Sequence, residues 1–123
     1  MGLARTFDIS QEFVGDGVTE PQLFIPCAGG IQAVMTEFDA MVVSSAAAAQ
    51  IYPIILGIYP SGPTIQNGFW VTLDAAAGGA YTSGQGQWTG ELAASPGRSL
   101  LIYSATVPIT DTFMILHAQG YYQ

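Results

Sequence analysis

The stretch Asp111–Gln123, DTFMILHAQGYYQ, decides how the chain is to be read. Within it, TFMILHAQ divides by alternation into two sets: Phe113, Ile115, His117 and Gln119, and Thr112, Met114, Leu116 and Ala118. An apolar run of this length with turn residues before it predicts a strand, whose successive side chains point to opposite faces. Both faces are largely apolar, and IYPIILGIY (51–59) and LLIYSATV (100–107) share that property. An antiparallel sheet with one wet face alternates apolar and polar residues more cleanly. Strands of this kind need two covers. One is the opposite sheet of a sandwich; the other is a long loop or another subunit.

Outward from this stretch the chain reads as strands separated by punctuation. Its 15 glycines and 7 prolines are scattered throughout, and no window free of them sustains a 3.6-residue apolar period. Strands are expected near 5–9, 22–26, 31–37, 40–44, 51–59, 69–73, 88–93, 99–107 and 111–119. Asp16-Gly17 and Asn67-Gly68 accept positive φ, as tight hairpin turns require. Ser95-Pro96-Gly97 predicts a further turn, and Pro108 with Thr110-Asp111 separates the last two strands. The Gly- and Ala-rich piece AAAGGAYTSGQGQ (75–87) reads as a long exposed loop. SSAAAAQ (44–50) is too short for a stable helix and reads as one turn or a small-residue contact. Eight or nine short strands in 123 residues predict one all-β domain, a sandwich or barrel.

Composition narrows the function. Half of the residues are hydrophobic, 9% are charged, and the net charge is −7. Arg5 and Arg98 are the only basic residues apart from His117. Binding nucleic acid requires clustered Lys and Arg to displace counterions from phosphates, and an anionic membrane surface makes the same demand, so neither is expected as a partner. The longest apolar stretch (46–59) is too short to span a bilayer and is broken by Gln50 and Pro53. MGLARTFDIS lacks the apolar segment of a signal peptide. Ser, Thr, Gln and Asn total 28 and can solvate a surface without charge. The two-sided apolar strands nevertheless favour a homo-oligomer.

No pattern of catalytic or metal-binding residues is present. His117 is the single histidine and Cys27 the single cysteine, which excludes H-E-x-x-H, C-x-x-C and any intrachain disulfide. His117 reads as a strand imidazole. It would become catalytic only beside a carboxylate and a nucleophile such as Ser104. Cys27, in LFIPCAGG, reads as a small buried thiol. The acids Asp8, Glu12, Asp16 and Glu20 lack the close spacing of a calcium loop. CAGG (27–30) and GGAYTSGQG (78–86) lack the lysine of a phosphate-binding loop. The chain is therefore read as a non-enzyme with no cofactor and no metal. The aromatics are the best lead: Trp70, Trp88, Tyr121 and Tyr122 are the candidate interface residues, since such side chains dominate interface energetics. The two tryptophans also fit a half-core role, and the two tyrosines are expected beyond the last strand.

QWTGELAASPGRSLLIYSATVPITDTFMILHAQGYYQ (87–123) combines an aromatic-Thr-Gly entry, a Pro-Gly turn into an apolar strand and a last strand closing on Gly-Tyr. It resembles, in this rhythm, the end of small jelly-roll proteins of phage virions, and QLFIPCAGGIQAVMTEFDAMVVSS (22–45) is similar to their opening. No functional residue carries over. The resemblance implies an all-β, jelly-roll-like antiparallel β-sandwich of about eight strands, with residues 1–17 an N-terminal arm or edge strand and 18–123 the single sandwich domain. It further implies a virion location and a capsid decoration or cement role, as a trimer bound to the major capsid protein or another virion protein. The alternative is a carbohydrate- or receptor-binding sandwich of a viral or cell surface, with a glycan stacked on an exposed aromatic. A small β-fold enzyme built on His117 is the third and weakest reading.

Overall fold

In a computed structural model of the chain, Met114, Leu116 and Ala118 are fully buried along one side of the last strand. The structure describes residues 5–26, 31–45, 49–59, 64–74, 81–94 and 97–123. Among the described residues there are eight strands and no helix: β1 (Arg5–Val14), β2 (Gln22–Ile25), β3 (Ala33–Ser44), β4 (Gln50–Tyr59), β5 (Thr64–Leu73), β6 (Thr82–Ala93), β7 (Ser99–Ser104) and β8 (Thr112–Tyr122). They form two four-stranded sheets. Sheet A has the order β1-β8-β3-β6 and sheet B the order β2-β7-β4-β5, and every pairing is antiparallel.

The pairs nest within one another. Arg5 lies opposite Tyr122, Gln22 opposite Tyr103, Val34 opposite Ala93, and Gln50 opposite Leu73. The chain is thus one long hairpin with β4 and β5 innermost, wrapped into a double sheet, which is the eight-stranded jelly roll. Between the sheets lies one core. Phe7, Met35, Phe38 and Met114 from sheet A meet Tyr52, Ile54, Leu56 and Ile102 from sheet B. Each such side chain contributes about 1.5–3 kcal/mol on burial. The buried hydroxyls of Ser44 and Thr112 satisfy each other at 2.8 Å.

Several local expectations are corrected. The strands expected at 31–37 and 40–44 are one strand, β3, with a register shift between Met35 and Glu37. The shift is a β-bulge that takes up the polar Thr36-Glu37 and returns Phe38 to the core. Asn67-Gly68 is no turn: it lies inside β5, opposite Leu56 and Ile55, because a turn-permissive dipeptide does not oblige a turn. Asp16-Gly17 is not a hairpin either, since β1 and β2 belong to different sheets. Gly17 does adopt φ +75°. The Asp16 carboxylate accepts the Val18 and Thr19 amides and the Thr19 hydroxyl, and these bonds, the Thr19 hydroxyl's foremost, lower its pKa to about 2. Tyr121 and Tyr122 are inside β8, not beyond it. Arg5–Val14 is the edge strand of sheet A. Cys27 and most of the alanines of 44–50 fall outside the described residues.

The expected loop at 75–87 is corrected over 82–87, which belongs to β6. Its SGQGQ sequence is a strand alternation in which the core-facing members are glycines. A Cβ on Gly84 would stand 2.2 Å from the Thr72 carbonyl oxygen, and one on Gly86 2.8 Å from the Phe69 ring. The missing side chains let edge strand β6 close onto edge strand β5 where the two sheets meet. Gly84→Ala is accordingly expected to lower unfolding free energy by about 1–3 kcal/mol. Ser83→Ala, on the exposed side of the same strand, should stay within about 0.5 kcal/mol. Urea denaturation of the two variants measures the difference.

Candidate functional site

The two outer faces differ in charge: sheet A carries acids beside an apolar end where Val14, Phe113 and Val43 align, and sheet B carries no charge along its described strand positions. On sheet A the outward positions line up across the strands as Ser10–His117–Asp39–Gln87, flanked by Asp8–Gln119–Glu37–Thr89. His117 is brought between two carboxylates from different strands. Its Nε2 is 2.5 Å from Asp8 Oδ1 and its Nδ1 2.8 Å from Asp39 Oδ1. Gln119 Nε2 donates to the second Asp8 oxygen at 3.2 Å. Only an imidazolium can donate to both acids at once. The Asp8 hydrogen bond raises the His117 pKa above its ordinary 6.5; partial burial opposes this and Asp39 reinforces it. Hydrogen bonds from His117 and then Gln119 lower the Asp8 pKa.

A depression of about 300 Å³ beside this group is bordered by Glu37, Asp39, Gln87, Thr89, His117 and Gln119, with Phe38 and Trp88 also in its lining. Its side chains are mostly polar, with two acids, but the arrangement is not that of a nucleophile and its base. Both imidazole nitrogens are taken by carboxylates, and Ser104 is buried in sheet B with its hydroxyl on the Thr106 carbonyl at 2.7 Å. The described residues contain no group of three or more His, Cys, Asp or Glu arranged to hold a metal ion. The arrangement is a clasp: one cationic ring ties the edge strand β1 through β8 to β3.

Sheet B differs. Among the described residues, the outward positions of its strands carry no charge: Gln22, Phe24, Ser99, Leu101, Tyr103, Ile51, Pro53, Ile55, Gly57, Gly68, Trp70 and Thr72. Trp70 is 68% exposed and Ile51 53%. Trp70 lies opposite Pro53, and Gly68 opposite Ile55. The absent side chain at Gly68 leaves a hollow of about 320 Å³ lined by Pro53, Ile55, Gly68 and Trp70. Pro53 is tolerated in this strand because pairing with β7 begins only at Ile54, so no amide donor is needed from it there. Its carbonyl accepts the Ala105 amide at 2.9 Å.

The four aromatics singled out by sequence do not form one site. Trp70 stands on the outer face of sheet B, while Trp88 packs against the core. Tyr122 also packs against the core, its ring 5.2 Å from that of Phe7. Tyr121 is half-buried on the other side of β8, opposite Val34. Sequence reasoning missed Asp8 and Asp39 as the partners of His117. It also missed Pro53, Ile55 and Gly68 as neighbours of Trp70, since cross-strand register is what joins them. The chain matches no protein-family model and no curated protein.

The clasp makes stability depend on pH. His117 has a raised folded pKa, so its contribution is complete below about pH 6.5 and is lost as pH rises through that raised value. Asp8 has a lowered one, so its contribution is complete above about pH 3.8 and is lost as pH falls through the lowered value. The clasp is therefore strongest between the two ordinary values. His117→Gln is expected to flatten the alkaline limb of a plot of thermal midpoint against pH and to remove the Asp8 part of the acid limb, leaving the part set by Asp16 and its Thr19 and Val18 bonds. Thermal melts from about pH 3 to about pH 9 measure both limbs.

Proposed function

We propose that this chain is a virion structural protein, a decoration or cement module that assembles with copies of itself and binds the major capsid protein or another virion protein. The observation that carries this reading is the contrast between the faces: sheet B offers an uncharged aromatic surface, while Asp8, Glu12, Glu37 and Asp39 sit on the outer side of sheet A. Large permanent contacts are apolar, like a domain core cut in half, and are depleted in charge at their centre. A surface of that kind suits a permanent contact between protein chains. The jelly-roll topology and the sequence resemblance to phage virion proteins support the same reading, and the resemblance implies a trimer.

The exposure of Trp70 favours a second reading, a carbohydrate-binding module stacking a sugar on the indole. A sugar also needs polar partners around its ring. Apart from the Trp70 indole, the lining is Pro53, Ile54, Ile55, Gly68 and Phe69, none with a polar side chain, which makes this the weaker reading.

Antibody labelling of purified particles from the source tests the proposal. The chain is expected on the particle surface in many copies, and its absence from purified particles overturns the reading. Titration with a panel of oligosaccharides is expected to leave tryptophan emission unchanged; saturable quenching that disappears in Trp70→Ser would establish the carbohydrate reading in its place.

A further inference from the structure

Resting on the reading of the chain as a self-assembling module, we infer that the outer face of sheet B is where one copy meets another, with Trp70 of each copy seated in the hollow of its neighbour. Shape is the first ground. Trp70 projects from the edge strand β5 with 68% of its surface exposed. Directly beside it lies the hollow of about 320 Å³ over Gly68, between Pro53 and Ile55. A knob adjoining a hole on one face is what a contact between identical chains requires, because each copy then supplies both halves. The arrangement closes either a two-fold pair or a ring.

Charge is the second ground. Each chain carries −7, so copies repel unless their acids are kept apart. Along the strands of sheet B the outward positions carry no charge among the described residues, with Glu20, Asp74 and Arg98 only at strand ends, whereas Asp8, Glu12, Glu37 and Asp39 lie on the far side of the sandwich. Contact through sheet B sets the acidic faces at the greatest separation, where solvent and salt screen them. A strongly charged foreign surface would find no ion-pairing partner on these strands. A second copy, uncharged on this face and matched in shape, is the occupant that fits.

Light scattering of the full chain over a dilution series is the test. Wild-type protein is expected to show a whole multiple of 12.9 kDa. Trp70→Ser removes the knob from an exposed position, and Ile55→Glu sets a charge in the hollow. Each is expected to return the mass to that of one chain at concentrations where wild type is assembled, with thermal midpoints confirming that both variants fold. Phe113→Ser, on the outer face of sheet A, is expected to leave the multiple intact. Wild type that remains a single chain at every concentration overturns the inference. So does an assembled protein whose mass survives both sheet B variants, or one that Phe113→Ser alone dissolves. Labelling of particles can still succeed in each of these cases, so failure here is separable from failure of the virion reading.

Discussion

Everything in sheet A hangs on the antiparallel pairing of β3 with β8. The ladder runs from Ala33 opposite Tyr122 to Ser44 opposite Thr112, and amides of Gln32 and Gln123 extend it at both carbonyls. Edge strands β1 and β6 each attach to one member of this pair. The pair also sets the parity by which Phe38, Val42, Met114 and Leu116 enter the core while Asp39 and His117 leave it. A slip of one residue would exchange the two sets. In this ladder the register changes at the Met35/Glu37 bulge, and there Thr36 Oγ1 donates to the Gln119 carbonyl at 3.4 Å.

Much of this was legible in the sequence. The period-two reading of TFMILHAQ assigned the two faces of β8 as they are found, and the doubly apolar runs of β4 and β7 marked strands with something to cover on each side. Register was not legible. Nothing local tells that Asp8 and Asp39, 31 positions apart in sequence, flank one imidazole. The glycines of SGQGQ were misread because glycine signals both a loop and a close approach of backbones, and only the position of β5 distinguishes them. Polar interruptions such as Thr36-Glu37 likewise looked like strand ends, because a bulge and a break have the same local composition.

The two outer faces show how a chain with so few charges divides them. Acids concentrated on sheet A keep one side hydrated and repel like surfaces, and the clasp neutralises part of that charge locally without a lysine. Among the described residues, the outward strand positions of sheet B carry no charge and meet water with amide, hydroxyl and aromatic groups such as Gln22, Tyr103, Thr72 and Trp70. Such a surface is costly to leave open. The imbalance between the faces is therefore a property of the whole sandwich, more than of any single residue on either of them.

The nested pairing also orders the chain in time. The innermost hairpin, β4 with β5, closes across a handful of residues, whereas β1 meets β8 only when nearly the whole chain has been gathered in. Loop-closure entropy rises with the length closed, and a topology built from such distant partners folds slowly. The outermost strand is then the last to dock and the first to peel away, since an edge strand can detach without undoing the pairs inside it. The His117–Asp8 bond is fastened to that strand, so a single proton helps to hold the door of the sandwich shut.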